Sequence, residues 1–301
     1  MILLLGGTGS LGGPVLRCLL ERKIEVRSFS RGASDWKSAS IADLRRRGVD
    51  MVLADVNDER RLEEAMVGCK AVICLINTFQ QTRNETYEMT HVAAMDNIVE
   101  LAEKAGIQRL IHVSCLNSSE QSSSEYLRTK WQAEQLVKRG QFYWTILKTS
   151  FLFSDRCHLL NWLRPLIKFP AIMPVLGSGL NEIQPVFADD VASFLVDIIY
   201  DKTAVSKTFE LGGPNVYAMA DLMGLARKAC KLSGPPVSMP TPMIDILMRL
   251  STSAGLGGTQ LRELLPLLTT ESVCVDNALE NRFQSELTTL EDALPKIVSR
   301  F

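Results

Sequence analysis

The sequence predicts an α/β protein, a doubly wound parallel sheet followed by a small, mainly helical C-terminal lobe. Three observations predict it. The chain opens with an apolar run, Ile2 to Leu5, that meets glycines at positions 6, 9 and 12. Strand-length apolar runs then alternate with helix-length amphipathic stretches to about residue 115, in the order β-α-β-α-β-α-β-α-β. From Asp155 onward that alternation breaks down.

Composition narrows the class. The 301 residues are enough for one large domain, or for a core domain with a smaller lobe. Lys and Arg number 33 against 34 Asp and Glu, which argues against a nucleic-acid binder relying on bulk positive charge. With 46% hydrophobic and 22% charged residues the chain reads as globular, and no apolar stretch reaches the roughly 18 to 20 residues of a membrane span. The seven cysteines are scattered singly with no C-x-x-C pair, so neither a metal site nor a disulfide framework is expected. Free thiols suit a reducing compartment. The first strand begins at residue 2, so a cytoplasmic protein is expected, without a signal or transit peptide unless one was removed.

Taken in order, the continuously apolar run Ile2–Leu5 reads as a strand buried on both faces. Gly6 then permits the tight turn off the strand, Gly9 lets backbone approach a pyrophosphate, and Gly12 lets the following helix pack closely. That helix, expected over Ser10 to Glu21, aims its N–H groups and positive dipole end at the phosphates. Ile24 to Phe29 alternates as a second strand and ends at Ser30-Arg31. No acid stands there to accept from the ribose hydroxyls of NAD, whereas the Arg31 guanidinium suits the 2′-phosphate of NADP, with Ser28 and Ser30 as further donors. NADPH is therefore expected over NADH, a solvated loop arginine being the alternative.

Asp43 to Gly48 reads as a helix end, and Met51 to Asp55 as a third strand. Two readings of Asp55 stay open: with Val56 it borders an adenine ring, or it caps the helix that begins near Glu59. Ala71 to Ile76 is a fourth strand, and Asn77 begins the loop at its C-terminal edge, where open parallel sheets place their ligand crevice. A long helix over Glu88 to Ala105, closed by Gly106, leads to a fifth strand, Leu110 to Val113, with Ser114 at its end.

The next helix carries Tyr126 and Lys130, four apart and so on one face. A neighbouring ammonium lowers a phenol's pKa toward the working range, which makes Tyr126 a candidate acid–base residue. Lys130 is placed to bind the nicotinamide ribose as well, and Ser114 to hold a substrate oxygen.

The Gly-x-x-Gly-x-x-Gly loop with Arg31, Asn97, Ser114, Tyr126 and Lys130 resembles the short-chain dehydrogenase/reductase superfamily in its atypical and extended branches. The segments Ile111–Asn117 and Ser122–Lys130 look closest to the NADPH-binding accessory subunits of respiratory complex I and their bacterial, NmrA-like and epimerase-like relatives. Residues 146–153, 184–191 and 209–214 echo the same family, and the resemblance fades beyond about residue 215. It implies a Rossmann-type fold, with Gly6, Thr8, Gly9, Ser10, Leu11 and Gly12 as the pyrophosphate cradle and Arg31 reading the 2′-phosphate. Tyr126 would be the acid and Lys130 its ribose-binding partner. Lys148 stands where many extended members carry arginine, and Thr149 replaces a proline. The resemblance also implies a rival to an oxidoreductase: a non-catalytic, NADPH-holding subunit of a larger respiratory complex, or an NADPH-sensing regulator.

The expected division is residues 1–154 for the dinucleotide-binding core. Residues 155–301 form a mixed segment that completes the core at about 183–215 and supplies the substrate lobe. The Leu-, Trp- and Phe-rich stretch His158 to Val175 has three open readings: a substrate lid, a membrane surface for quinone chemistry, or core packing. Asp189 and Asp190 are expected to cap a helix over Val191 to Tyr200. Met243–Leu250 and Leu261–Leu268 are expected as short helices, around a flexible Gly255–Gly258. The expected substrate is a small molecule with a carbonyl or quinone-like group, reduced by NADPH without a metal.

Overall fold

Four fully buried apolar residues make β1, Ile2–Leu5, the strand around which the sheet is laid. The computed structural model describes residues 1–31, 38–79, 81–83, 85–154, 158–240, 242–243, 246, 265–283 and 287–298. The chain then runs α1 (Gly12–Glu21), β2 (Val26–Ser30), α2 (Ser38–Arg46), β3 (Asp50–Leu53), α3 (Glu59–Met66) and β4 (Ala71–Cys74). It continues through α4 (Ala94–Lys104), β5 (Arg109–Cys115), α5 (Glu125–Arg139) and β6 (Tyr143–Thr149). With the strand Lys207–Leu211 these form a seven-stranded sheet, ordered Lys207–Leu211, β6, β5, β4, β1, β2, β3. Every pairing from β3 across to β6 is parallel. This is the doubly wound, Rossmann-type α/β sheet that the alternation predicts.

The order reverses between β1 and β4, which places the switch point where the glycine loop and the residues after Cys74 leave the sheet. One face of the sheet and its helices bury Leu3, Phe29, Leu62, Val72, Ile98 and Leu110 in a common core. Several boundaries shift by a few residues: α1 begins at Gly12 rather than Ser10, and β4 ends at Cys74 rather than Ile76. The helix expected over Glu88 to Ala105 opens with a π turn, Glu88–Ala93.

Two compact units result, Met1–Thr149 with Ala188–Phe209, and Ser150–Phe187 with Glu210–Phe301. Buried Arg109 on β5 ties the returning segment to the first unit, donating to the carbonyls of Ile198, Ile199 and Tyr143 and to Thr145. Asp189 and Asp190 do not precede this segment's helix: it runs Ala188–Asp197, so both lie within its first turn, and Asp189 pairs with Arg17 on α1. A carboxylate there offsets the helix dipole without being the cap residue.

The second unit combines the helices His158–Ile167, Met219–Ala229, Ala278–Phe283 and Leu290–Val298 with short paired strands. The apolar stretch from His158 is core packing here, with Leu159, Leu160, Leu163, Leu166 and Ile167 buried. Among the described residues no helix is long and apolar enough to cross a membrane. The two later helices lie mostly outside the described residues, which hold 243 and 246 of the first and 265–268 of the second; Gly255–Gly258 lies wholly outside.

Candidate functional site

The glycine loop is held by backbone and by β2. Gly6 has a φ of +87° and its amide N–H donates to Phe29 O at 2.9 Å, so the turn off β1 demands the left-handed conformation glycine tolerates. A Cβ on Gly12 would collide with Gly6 O and stand 2.5 Å from Gly7 C. That residue therefore lets α1 seat directly on the loop. Thr8 N donates to Ser30 Oγ at 3.3 Å, tying the loop to the end of β2. Leu11, at the N-cap, is buried and gives no side-chain cap, and the first turn of α1 carries no acid. The helix thus presents an unneutralised positive end beside a cradle of Gly6, Thr8, Gly9, Ser10 and Gly12, a fit to a pyrophosphate.

Gly7 went unremarked in the sequence, and the structure gives it a task. A Cβ there would fall within 3.0 Å of Ser28 Oγ, a fully buried hydroxyl on β2. Ser28 faces the loop from beneath, whereas Ser30 Oγ accepts from Thr8 N and keeps its own proton to donate. Arg31 remains at the strand end, more than half exposed, with Nη1 donating to Glu85 Oε1 at 2.7 Å. Asp55 does not cap α3. That cap is Asp58, which accepts from Arg61 N at 3.1 Å, while Asp55 turns its carboxylate onto Asn57 at 2.9 and 2.8 Å. Val56 beside it is buried in the core.

Tyr126 on α5 is 3% exposed. Its hydroxyl donates to Asn77 Oδ1 at 3.1 Å, just past the end of β4. Phe79 stacks on its ring at 5.3 Å between centroids, and Tyr87 and His91 meet it edge-on at 5.5 and 5.4 Å. His91 comes from the π turn, a local irregularity that often marks functional positions. Its Nε2 accepts from Thr78 N at 3.3 Å, which leaves the proton on Nδ1, 2.9 Å from Thr129 Oγ1. Thr129 in turn donates to Tyr126 O at 3.0 Å.

The Tyr126–Lys130 pair differs from its expectation. Burial pushes the phenol well above its ordinary value, the Cys115 thiol adds to this, and the Asn77 hydrogen bond opposes it. Lys130 is buried and donates to Val113 O at 3.1 Å; burial holds its ammonium below the usual lysine range. The two groups share a helix face, yet the ammonium is directed to a strand carbonyl and the phenol to Asn77. In this arrangement Tyr126 stays protonated, a donor rather than a base. The same burial, together with the Lys130 charge, holds His91 well below its ordinary value and therefore neutral.

Ser114 joins a network absent from the sequence reading. Its Oγ donates to Glu134 Oε1 at 2.6 Å, and Ser118 Oγ donates to the same oxygen at 2.5 Å. Lys148 Nζ, on β6, lies 3.2 Å from Glu134 Oε2, giving this fully buried carboxylate its counter-ion. Glu134 is four residues beyond Lys130 on the face Tyr126 already occupies, so the spacing was a signal. Asn97 lies half-buried on α4.

Residues 6–162, over half of the chain, match the family described as NAD(P)H-binding. The chain belongs to the NAD(P)H-binding family. It is 29% identical over 287 residues to the mitochondrial NADH dehydrogenase [ubiquinone] 1 alpha subcomplex subunit 9 of Arabidopsis thaliana, covering 91% of this chain and 71% of that protein. The Mus musculus protein of that name is 34% identical over 170 residues, 56% of this chain and 45% of its own length. An NAD(P)H azoreductase from Xenophilus azovorans is 22% identical, covering 85% of this chain and 82% of that one. The fold is shared with an NADPH-dependent quinone oxidoreductase from Escherichia coli solved with NADPH, at a TM-score of 0.77 and 18% identity over 100% and 99% of the two chains.

Proposed function

We propose that this NAD(P)H-binding protein is an atypical short-chain reductase that uses NADPH to reduce a carbonyl or quinone-like small molecule. The observation that carries the reading is the packing at Gly12, where a single Cβ would drive helix and loop apart beside an uncapped helix start. Gly6, Thr8, Gly9, Ser10, Leu11 and Gly12 hold the pyrophosphate. Asp55 and Val56 border the adenosine end, Arg31 meets the 2′-phosphate, and Asn77 and Lys130 line the nicotinamide end. A bound reduced nicotinamide supplies hydride-donating chemistry.

The protein's own part is to deliver a proton and hold the acceptor. Tyr126 is the proton donor: burial keeps it neutral, and its hydroxyl turns from Asn77 Oδ1 to the acceptor oxygen to deliver the proton. Phe79 covers its ring, so an acceptor reaches the hydroxyl after that side chain moves aside. Lys130 anchors α5 to β5 and meets the ribose, while Ser114 holds the acceptor oxygen once its hydroxyl turns from Glu134, to which it donates in this structure. The azoreductase relative and the quinone oxidoreductase of the same fold support a reductase of conjugated or carbonyl-bearing acceptors. The six cysteines among the described residues are free, which favours a reducing compartment such as the cytoplasm, although the names of the complex I subunit relatives place those proteins in mitochondria.

NADPH oxidation across carbonyls, quinones and azo dyes, with Tyr126→Phe alongside, tests this. Removal of the hydroxyl is expected to lower turnover by roughly 10²-fold or more, the usual worth of a positioned proton donor, with the NADPH Kd changed less than about twofold. A second reading is favoured by the closed, strongly protonated Tyr126 and by the subunit relatives: an NADPH-holding component that docks to a larger respiratory assembly. Tight NADPH binding without turnover on any acceptor, and with Tyr126→Phe silent, decides for it.

A further inference from the structure

We infer that Glu85 is a specificity-determining residue of the cofactor site, a carboxylate that opposes the 2′-phosphate and so keeps the protein open to NADH. The inference rests on the reading of Arg31 as the 2′-phosphate contact. The end of β2 carries no acid in the sequence, which is why a preference for NADPH is expected there. The structure supplies one from elsewhere. Glu85 is 54 residues away along the chain, and its Oε1 accepts from Arg31 Nη1 at 2.7 Å.

Three features make this more than a passing surface pair. Arg31 follows directly on β2, so its backbone is set by the sheet. Glu85 is carried on a tight antiparallel bridge with Thr82, whose amide N–H donates to Glu85 O at 2.8 Å. The Glu85 side chain is 28% exposed against 56% for Arg31, so the carboxylate is the sheltered member of the pair and the guanidinium the outward one.

A 2′-phosphate asking for Arg31 meets that carboxylate first. Either the Arg31–Glu85 pair opens, or the phosphate shares the guanidinium with a like charge; both weaken binding. A cofactor with a free ribose hydroxyl at that point provokes neither cost, and a carboxylate is the group that accepts from such hydroxyls in NAD-type sites. Arg31 therefore draws the phosphorylated cofactor and Glu85 moderates that draw. The affinity ratio between the two cofactors belongs to the pair rather than to the arginine.

The test is calorimetric titration of the full chain with NADPH, NADH, 2′,5′-ADP and 5′-AMP. It uses the wild type, Glu85→Gln, Glu85→Ala, Arg31→Ala and the Arg31→Ala/Glu85→Gln double variant. Both Glu85 variants are expected to tighten NADPH and 2′,5′-ADP by roughly three- to tenfold at low salt, less at high salt, with no gain for NADH or 5′-AMP. The gain should vanish in the Arg31→Ala background. If Glu85→Gln leaves 2′,5′-ADP unchanged, or tightens both nucleotides equally, while Arg31→Ala still weakens 2′,5′-ADP selectively, the role of Glu85 is overturned and that of Arg31 stands. If Arg31→Ala weakens 2′,5′-ADP and 5′-AMP alike, the phosphate reading of Arg31 falls, and the inference with it.

Discussion

Gly7→Ala isolates the packing beneath the glycine loop. The added methyl would sit within 3.0 Å of Ser28 Oγ, inside the closest approach that real Cβ atoms make, with Leu4 Cδ2 and Ser28 Cβ next at 3.3 Å. Gly7 is not among the residues with positive φ, so sterics rather than backbone strain set the cost. Overpacking of this kind costs about 2 kcal/mol. Ser28 Oγ is buried without a hydrogen-bond partner among the described residues, so Ser28→Ala gives up no bond and should change stability by less than about 0.5 kcal/mol. In the double variant the offending oxygen is gone and only the 3.3 Å contacts remain, which neighbours absorb by shifting a few tenths of an ångström. The expected coupling is about 1–2 kcal/mol in the direction of rescue. Urea unfolding of the four proteins, followed by circular dichroism, should place the Gly7→Ala midpoint about 1 M below wild type and return the double variant most of the way. A double variant that unfolds at the Gly7→Ala midpoint would refute the steric account. Ser28→Ala should also leave the NADPH-to-NADH affinity ratio unchanged, because its hydroxyl faces the loop rather than the cofactor.

Lys148→Met leaves the fully buried Glu134 carboxylate without its counter-ion and should cost about 3–5 kcal/mol, visible as an early urea midpoint; adding Glu134→Gln should recover most of the loss. His91 and His112 are both held well below the ordinary 6.5, by burial first and by Lys130 second. Their unfolded forms take up protons that the folded forms refuse, so their contribution is intact above that value and is lost as pH falls below it. From pH 6.5 to 5.5 the two together should remove about 2 kcal/mol of unfolding free energy, and His91→Gln should roughly halve that slope in urea titrations at each pH. Tyr126→Phe, beyond its effect on turnover, leaves Asn77 Oδ1 without its donor, and Asn77→Ala should lower turnover in the same direction and also weaken NADPH, since Asn77 lines the nicotinamide end, both read by steady-state kinetics and calorimetric titration.

What the chain states locally was legible in it. Ile2–Leu5 is apolar at every position because a central parallel strand is covered on both faces, and Gly6 and Gly12 are glycines because a left-handed turn and a helix seated on backbone exclude a Cβ. Alternating apolar runs and amphipathic stretches carry the sheet and its winding without reference to anything distant. Tyr126 and Lys130 declare a shared helix face by spacing alone.

The chemistry of those groups was decided elsewhere. Whether Lys130 lowers the phenol depends on where its ammonium points, and β5 takes it at Val113 while Phe79, Tyr87 and His91 close over Tyr126 and raise the pKa instead. Ser114 meets Glu134 across 20 residues and Glu134 meets Lys148 on the next strand; Arg31 meets Glu85 across 54. Sequence by itself determined the sheet, the glycine loop and the residue types offered to a dinucleotide, because periodicity and glycine sterics act over a few residues. Tertiary structure decided which charges pair and which protons stay, because burial and Coulomb interaction depend on distances in space that the order of residues does not encode.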